Sequence, residues 1–270
     1  MNKIKKKRDV DILAIWSAVI ILLTIGLIMI YSASATRFIS SEIHGNDSMY
    51  LLKRQAFFVI IGLVFCFVFQ YVNYCFLYRL AVLMYAGAIA LILLLKTPLG
   101  ISVKGATRWL NLFGIQFQVA EFVKICVIVM MAYMIQRYSK HLSNIKLTIY
   151  MWELGGTAAM LLLFISNDLS SSLVVLGITF CVTFIYTKNE WIHLLMIVFG
   201  GVAVGGYVLS IKNNMPSAAE LENMSFRVGR IAAWIDPERY ASDQGYQTLQ
   251  ALYAIGSGGF WGKGLGNSTQ

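Results

Sequence analysis

Charged residues are scarce in this chain. Only 13% of its 270 residues are Asp, Glu, Lys or Arg, whereas 58% are hydrophobic, and the mean hydropathy is +0.69. A soluble globular domain carries about 25% charged residues, so the composition excludes that class. The scarcity of charge indicates an integral membrane protein.

Cysteine and histidine, which bind transition metals most often, are also few. The chain has four cysteines without the paired spacing of a zinc site and three histidines in separate regions. They are Cys66, Cys75, Cys126, Cys181, His44, His141 and His193. We expect the cysteines to be small apolar fillers. No metal site or cofactor is predicted, and a divalent metal ion stays an open alternative.

Long apolar segments dominate what remains. A bilayer core about 30 Å thick requires about 20 mostly apolar residues per helix, and seven segments approach that length. They are residues 12–36, 55–78, 80–95, 119–136, 147–165, 169–187 and 191–211. The sequence therefore predicts an all-α, polytopic integral membrane protein with about seven transmembrane helices and a large outer loop.

The positive charge is concentrated at the amino terminus. Five cations lie within the first eight residues of MNKIKKKRD, and the positive-inside rule places such a tail in the cytoplasm. We expect residues 1–11 to be a cytoplasmic basic tail. Alternation then places residues 96–118 and the long segment 212–270 outside. Because topology explains the net charge of +9, nucleic acid is not predicted as a partner.

Among the ionisable residues in or next to the predicted spans, three bear on function. Glu121 and Lys124 are three residues apart, so on a helix they share one face and can form an ion pair. They either line a cavity open to the outer face or join helices together, and both alternatives stay open. Asp168 lies between the fifth and sixth spans, where a carboxylate caps the helix that follows.

The segment 212–270 mixes arginines, acids and glycines. Guanidinium groups such as those of Arg227 and Arg230 bind phosphate through paired hydrogen bonds. A carboxylate such as Asp236 or Asp243 can take a proton from an attacking hydroxyl. This content suits a phosphorylated, sugar-bearing substrate, and the alternative is a flexible external loop.

Four blocks of sequence together carry a family resemblance. In order they are GATRWLNLFGIQFQVAEFVK, NDLSSSLVV, RVGRIAAWIDPE and GYQTLQALYAIGSGGFWGKGLGNSTQ. Through essentially its whole length the chain resembles the SEDS family (shape, elongation, division and sporulation) of membrane glycosyltransferases. The resemblance implies polymerisation of lipid II into peptidoglycan glycan strands on the outer face of the bacterial cytoplasmic membrane. It also implies a class B penicillin-binding protein as partner.

The ending GLGNS is more similar to the division branch of this family than to the elongation branch. This likeness implies a place at the division septum and other divisome membrane proteins as partners, with an elongation or sporulation polymerase as the alternative. Family members have ten spans, so about three more are expected after Gln270. Residues 1–270 are thus expected to be one incomplete membrane domain. A lipid II flippase or transporter and a docking scaffold are alternatives from other classes.

The resemblance also implies roles for individual residues. Six residues are expected to bind substrate, and they are Arg108, Glu121, Lys124, Arg227, Arg230 and Gln247. The family commonly has its essential aspartate three residues after the Pro of the outer loop, where this chain has Tyr240. Asp243 is therefore the favoured catalytic base and Asp236 the second candidate.

The chain departs from the family at two other motifs. Val119 and Ala120 stand where the family has Pro and Ser before the glutamate. The usual Pro-Asp-Leu-Gly turn appears here as Asn-Asp-Leu-Ser at residues 167–170, so the acid is kept while its neighbours change.

Overall fold

The computed structural model describes residues 2–39, 49–103, 106–112, 115–141, 143–217, 220–221, 224, 226–242 and 245–264. Within these ranges the chain forms nine α-helices and one sheet of three strands. It divides into two compact units, one made of Met1–Tyr71 with Tyr207–Gln270 and the other of Val72–Gly206.

Seven of the helices are long and apolar enough to cross a membrane. These seven are α1 (Asn2–Ile39), α2 (Tyr50–Tyr71), α3 (Tyr74–Leu94), α4 (Val119–Arg137), α5 (Ile145–Ile165), α6 (Leu169–Tyr186) and α7 (Glu190–Asn213). Two shorter helices follow, α8 (Phe226–Ile235) and α9 (Tyr246–Gly258). The prediction of a polytopic, helical membrane protein is confirmed.

The boundary between the second and third spans differs from the prediction. The predicted segment 55–78 crosses it, because α2 ends at Tyr71 and α3 begins at Tyr74. Asn73 caps α3, and its side chain accepts a hydrogen bond from the Cys75 N–H at 2.9 Å. Arg79 consequently lies within α3 and not in a loop. Hydropathy does not reveal this break, since apolar residues continue on both sides of it.

The predicted outer segment 96–118 contains a small antiparallel sheet. Its strands are β1 (Gly100–Val103), β2 (Ala106–Leu112) and β3 (Ile115–Gln118), with β2 in the middle. Leu110 of β2 is fully buried and belongs to the same core cluster as residues of α3 and α4. Because α4 begins directly after β3, the sheet is attached to the amino-terminal end of that helix.

Helices α3 to α6 share one apolar core, to which α4 contributes most. Cys126 is completely buried there, as expected for an apolar filler, whereas Cys66, Cys75 and Cys181 are exposed. Small residues bring α5 and α6 close together. A Cβ atom on Gly155 would lie 2.7 Å from Cγ2 of Thr179, so only glycine fits at that crossing.

The other unit contains its own small core beneath α8. Ile211 at the end of α7, Leu221, and Ala232 and Ala233 of α8 are buried there together with Tyr240. The Tyr240 hydroxyl donates a hydrogen bond to the Pro216 carbonyl oxygen at 2.6 Å. The described part of the segment 212–270 thus contains two helices, of which α8 packs on this core.

Candidate active site

Arg108 and Asp168 meet where the sheet approaches α6. Arg108 lies on β2, and its Nε is 3.7 Å from Oδ2 of Asp168, whose side chain is only 5% exposed. This distance is too long for a hydrogen bond, and the Arg108 Nε is buried without a hydrogen-bond partner. The Arg108 side chain as a whole is nevertheless 41% exposed. The guanidinium is therefore held at one edge by a carboxylate and is accessible elsewhere.

Asp168 caps α6, as the sequence predicts. Its Oδ1 accepts a hydrogen bond from the Ser171 N–H at 3.2 Å, and its Oδ2 accepts one from the Ser171 hydroxyl at 2.8 Å. The preceding residue, Asn167, has φ of 53°, a left-handed conformation that asparagine tolerates and that the proline ring forbids. The replacement of the family's proline at this turn therefore agrees with the backbone.

Glu121 and Lys124 form the predicted ion pair. The Lys124 Nζ lies 2.8 Å from the Glu121 carboxylate, and the two side chains are 24% and 58% exposed. Both residues belong to α4, so the pair does not join two helices. The pair lies within the first two turns of α4, next to the sheet.

These four side chains lie at the same end of the unit. Trp109 of β2 is paired with Gln118 of β3, which immediately precedes α4, and Arg108 approaches the first turn of α6. The amino-terminal ends of α4 and α6 both carry partial positive charge. Each cation here lies beside an acid, Arg108 beside Asp168 and Lys124 beside Glu121, so the four side chains carry no formal net charge.

Of the two candidate acids in the segment 212–270, the structure describes Asp236. Its Oδ1 accepts a hydrogen bond from the Arg239 N–H at 3.2 Å, and its own N–H donates to the Ala232 carbonyl oxygen at 2.9 Å. These bonds are typical of an aspartate that stabilises a turn after a helix. Asp243 lies outside the described residues.

Tyr240, which stands at the family's aspartate position, is 2% exposed and belongs to the core beneath α8. A carboxylate at this position would lose its hydration, which is unfavourable without a charged partner. After the turn, the Gly245 N–H donates to the Tyr240 carbonyl oxygen at 2.9 Å. A Cβ atom on Gly245 would lie 2.7 Å from that same oxygen, so the close approach requires glycine.

The remaining predicted binding residues are on the surface of the same unit as Asp236. Arg227 and Arg230 are exposed on α8, three positions apart and hence on one face. Gln247 is exposed in the first turn of α9. The predicted site residues are thus divided between the two units, with Arg108, Glu121 and Lys124 in the other one.

Among the described residues, no three His, Cys, Asp or Glu side chains are grouped so that they could hold a metal ion. The ring nitrogens of His193 are within hydrogen-bond distance of the Thr183 hydroxyl, at 2.9 Å, and the Asn189 carbonyl oxygen, at 3.1 Å. This histidine is a satisfied core residue.

The contact between Arg108 and Asp168 is absent from the sequence prediction. The sequence indicates each residue separately, one as a substrate contact and the other as a cap. No local spacing connects a strand residue with a helix cap so distant in the chain, because the contact depends on how the sheet packs.

The fold defines a polytopic membrane protein that carries two ion-paired cations, Arg108 and Lys124, at the amino-terminal ends of α4 and α6. Residues 13–270 match the FtsW/RodA/SpoVE family, described as cell cycle proteins, and the chain belongs to that family. It is 32% identical over 266 residues to a probable peptidoglycan glycosyltransferase FtsW of Geobacter sp. (strain M18), covering 96% of this chain and 66% of that protein. It is 29% identical over 269 residues to the stage V sporulation protein E of Bacillus subtilis (strain 168), covering 98% of this chain and 68% of that protein.

A solved structure shows the same fold. It is a chain from a peptidoglycan synthase complex studied for its coordination of polymerization and crosslinking, with a TM-score of 0.57 and 26% identity. The match covers 87% of this chain and 65% of that one. The present chain spans 62% to 66% of the length of the first curated relatives that it matches.

Proposed function

We propose that this chain forms part of a peptidoglycan glycosyltransferase that polymerises lipid II on the outer face of the cytoplasmic membrane. Family membership and the relatives named peptidoglycan glycosyltransferase support the reaction class. The geometric observation that supports it is the partly exposed Arg108 side chain, held 3.7 Å from the buried Asp168 at the end of the bundle where α4 and α6 begin. A lipid-linked sugar diphosphate is an anion of the kind this end would bind.

The cationic end would act on the diphosphate of the donor. Arg108 would contact phosphate oxygens through its accessible nitrogens, since Asp168 restrains the guanidinium from the side of Nε. Lys124 would add a second positive charge at the start of α4. Charge that develops on the departing diphosphate would be stabilised there, and stabilisation of developing charge lowers the barrier of the transfer step.

The acceptor hydroxyl needs a base, and we assign that role to Asp243, with Asp236 as the second candidate. The carboxylate would take the proton of the acceptor sugar's 4-hydroxyl as the oxygen attacks the anomeric carbon of the donor. One C–O bond forms, and the bond to the lipid diphosphate breaks with inversion. The observed use of Asp236 in its turn and the burial of Tyr240 support the choice of Asp243.

Residues of the outer segment would hold the glycan strand near the catalytic base, Asp243. Arg227 and Arg230 present two guanidinium groups on one face of α8, where they suit the phosphate or carboxylate groups of the substrate. Gln247, in the first turn of α9, can offer an amide to a sugar hydroxyl. The Glu121 carboxylate would orient Lys124 through the 2.8 Å ion pair.

Membrane location follows from the seven candidate spans and the family, and we propose the orientation. Residues 1–11 would form the cytoplasmic basic tail, and residues 212–270 the large extracytoplasmic loop of a single SEDS-type membrane domain. The FtsW relatives favour a division role at the septum, with a class B penicillin-binding protein and other divisome membrane proteins as partners. The similarity to the stage V sporulation protein E supports a role in sporulation as the alternative.

The decisive experiment uses the complete gene product, purified with its penicillin-binding protein and supplied with lipid II. We expect glycan polymer on a gel, and we expect Lys124→Ala to abolish it while membrane insertion is unchanged. Lys188→Ala, which removes an exposed cation next to α7, is the matched control and should retain activity. Transfer of labelled lipid II across vesicles without polymer would instead identify a flippase.

A further inference from the structure

The corner between α4 and α5 contains a pocket that the proposed reaction does not use. Its volume is about 350 Å³, and six residues line it, namely Tyr138, His141, Asn144, Lys146, Leu147 and Tyr150. The pocket is at the start of α5, whereas Asp168 follows the end of that helix. A helix of 21 residues is about 30 Å long, equal to the hydrocarbon thickness of a bilayer. The pocket is therefore at the opposite membrane interface.

A series of backbone hydrogen bonds stabilises the turn between α4 and α5. The Tyr138 N–H donates to the Met134 carbonyl oxygen at 3.0 Å, and the His141 N–H donates to the Tyr138 carbonyl oxygen at 2.8 Å. The Asn144 N–H then donates to the His141 carbonyl oxygen at 2.9 Å, and the Asn144 side chain caps α5 by accepting from the Lys146 N–H at 3.0 Å. The residues that line the pocket are thus held in place by the backbone.

The chain segment that forms the corner is basic, and the nearest acid on a neighbouring element is Glu190, next to Asn189, which donates to the Thr148 hydroxyl of α5 at 2.8 Å. Arg137, Lys140 and Lys146 lie within ten positions, and no acid occurs in the sequence between Glu121 and Glu153. The amino-terminal end of α5 adds partial positive charge. A ligand of this pocket should consequently be an anion.

The exposed surface of α5 next to the pocket is apolar. Ile145 and Ile149 are 53% and 55% exposed on α5, and Tyr138 and Tyr150 are 42% and 46% exposed beside the pocket. Tyrosines are enriched at the level of lipid headgroups, where one end of the ring is apolar and the other is hydrated. The exposed isoleucines would contact acyl chains, so the ligand should be amphiphilic as well as anionic.

We propose that this pocket binds the phosphate headgroup of an anionic phospholipid. Basic pockets between transmembrane helices at the membrane surface are suited to such headgroups. The Lys146 ammonium would neutralise the phosphate, the tyrosine hydroxyls would donate hydrogen bonds to it, and the acyl chains would lie along α5. This inference does not depend on the proposed enzymatic activity.

The test compares two lipids and two lysines. The complete gene product, purified in an uncharged detergent, is titrated with phosphatidylglycerol or with phosphatidylcholine of the same acyl chains, and bound lipid is counted by native mass spectrometry. We expect the unmodified protein to prefer phosphatidylglycerol and Lys146→Gln to weaken that binding about fivefold, the effect of one interfacial cation. Lys146→Arg, which keeps the charge, should retain binding.

The matched control is Lys140→Gln, which removes the same charge from the same corner at a residue that does not line the pocket. It should stay close to the unmodified protein. Equal losses from the two glutamine variants would show diffuse attraction without a site, and no preference between the lipids would exclude the site altogether. Displacement of phosphatidylglycerol by inorganic phosphate at millimolar concentration would identify a free-phosphate site and overturn the assignment to lipid.

Discussion

The Arg108 Nε lies 3.7 Å from Oδ2 of Asp168, and that same carboxylate caps α6 through Ser171. One buried acid therefore restrains a guanidinium on the sheet and satisfies the first turn of a membrane helix. The two roles differ in what they need. Capping needs only an acceptor oxygen, whereas the contact with Arg108 also depends on negative charge.

Substitution of Asp168 should separate these roles. Asp168→Asn keeps a good N-cap but removes the charge beside Arg108, so we expect loss of lipid II polymerisation with little change in thermal stability. Asp168→Ala should lose activity and, in addition, about 1 kcal/mol of stability from the missing cap. Both are measured on the complete gene product by a polymerisation assay and by thermal unfolding in detergent. Full activity of the asparagine variant would contradict the electrostatic role.

The two candidate bases should differ strongly in their effects. Removal of a general base costs about 10² to 10⁴ in rate, and we expect Asp243→Asn to show such a loss while lipid II binding persists. Asp236→Asn keeps an oxygen for the Arg239 N–H and should lose much less. Reversed effects would make Asp236 the base. If neither variant is impaired, the base does not come from this loop.

The crossing of α5 and α6 should tolerate no side chain at Gly155. Gly155→Ala forces its methyl group against Thr179, and overpacking of this kind costs about 1 to 3 kcal/mol. The adjacent Gly156 is the matched control, because a Cβ atom there meets nothing within 4 Å. Thermal unfolding in detergent should show a lower Tm for Gly155→Ala alone. The penalty should shrink in a Thr179→Ala background, and a penalty of unchanged size would show that the helices do not cross in this way.

Acidification should loosen the start of the segment 212–270. The pKa of Glu220 is lowered because the Ser217 N–H and hydroxyl hydrogen-bond to its carboxylate, with a smaller contribution from the charge of Arg239. A carboxyl whose pKa is lowered by folding stabilises the fold above its ordinary pKa, and that stabilisation disappears as the pH falls through the lowered value. The protection factors of the amides of residues 217 and 220–221, which correct for the pH dependence of intrinsic exchange, should therefore fall at acidic pH.

Glu220→Gln supplies the control for this effect. Glutamine can accept the same hydrogen bond from the Ser217 N–H but has no proton to gain. The variant should show protection that is independent of pH. Equal pH dependence in both proteins would place the titrating group elsewhere.

Reporter fusions test the proposed orientation. A periplasmic reporter joined after Lys212 should be active outside the membrane, and one joined after Lys146 should be inactive there, because the positive-inside rule retains the amino-terminal cations in the cytoplasm. A cytoplasmic result at Lys212 would overturn the reaction proposed above, since the base would then be on the wrong side of the membrane.

The sequence alone determined the features that depend on composition and on neighbouring residues. The scarcity of charge and the length of the apolar segments predicted seven membrane helices. The position of Asp168 before an apolar run predicted its role as a cap, because capping involves only the next few residues. The spacing of Glu121 and Lys124 likewise predicted an ion pair within one helix turn.

The remaining features depend on packing between segments that are distant in the chain. The sheet of residues 100–118, the contact of Arg108 with Asp168 and the burial of Tyr240 beneath α8 have no local signature. Hydropathy also missed the break at Asn73, because it averages over both helix ends. A strand residue meets a helix cap, and Tyr240 becomes buried in a core, only when the surrounding elements have packed. These contacts can therefore be seen only in the three-dimensional structure.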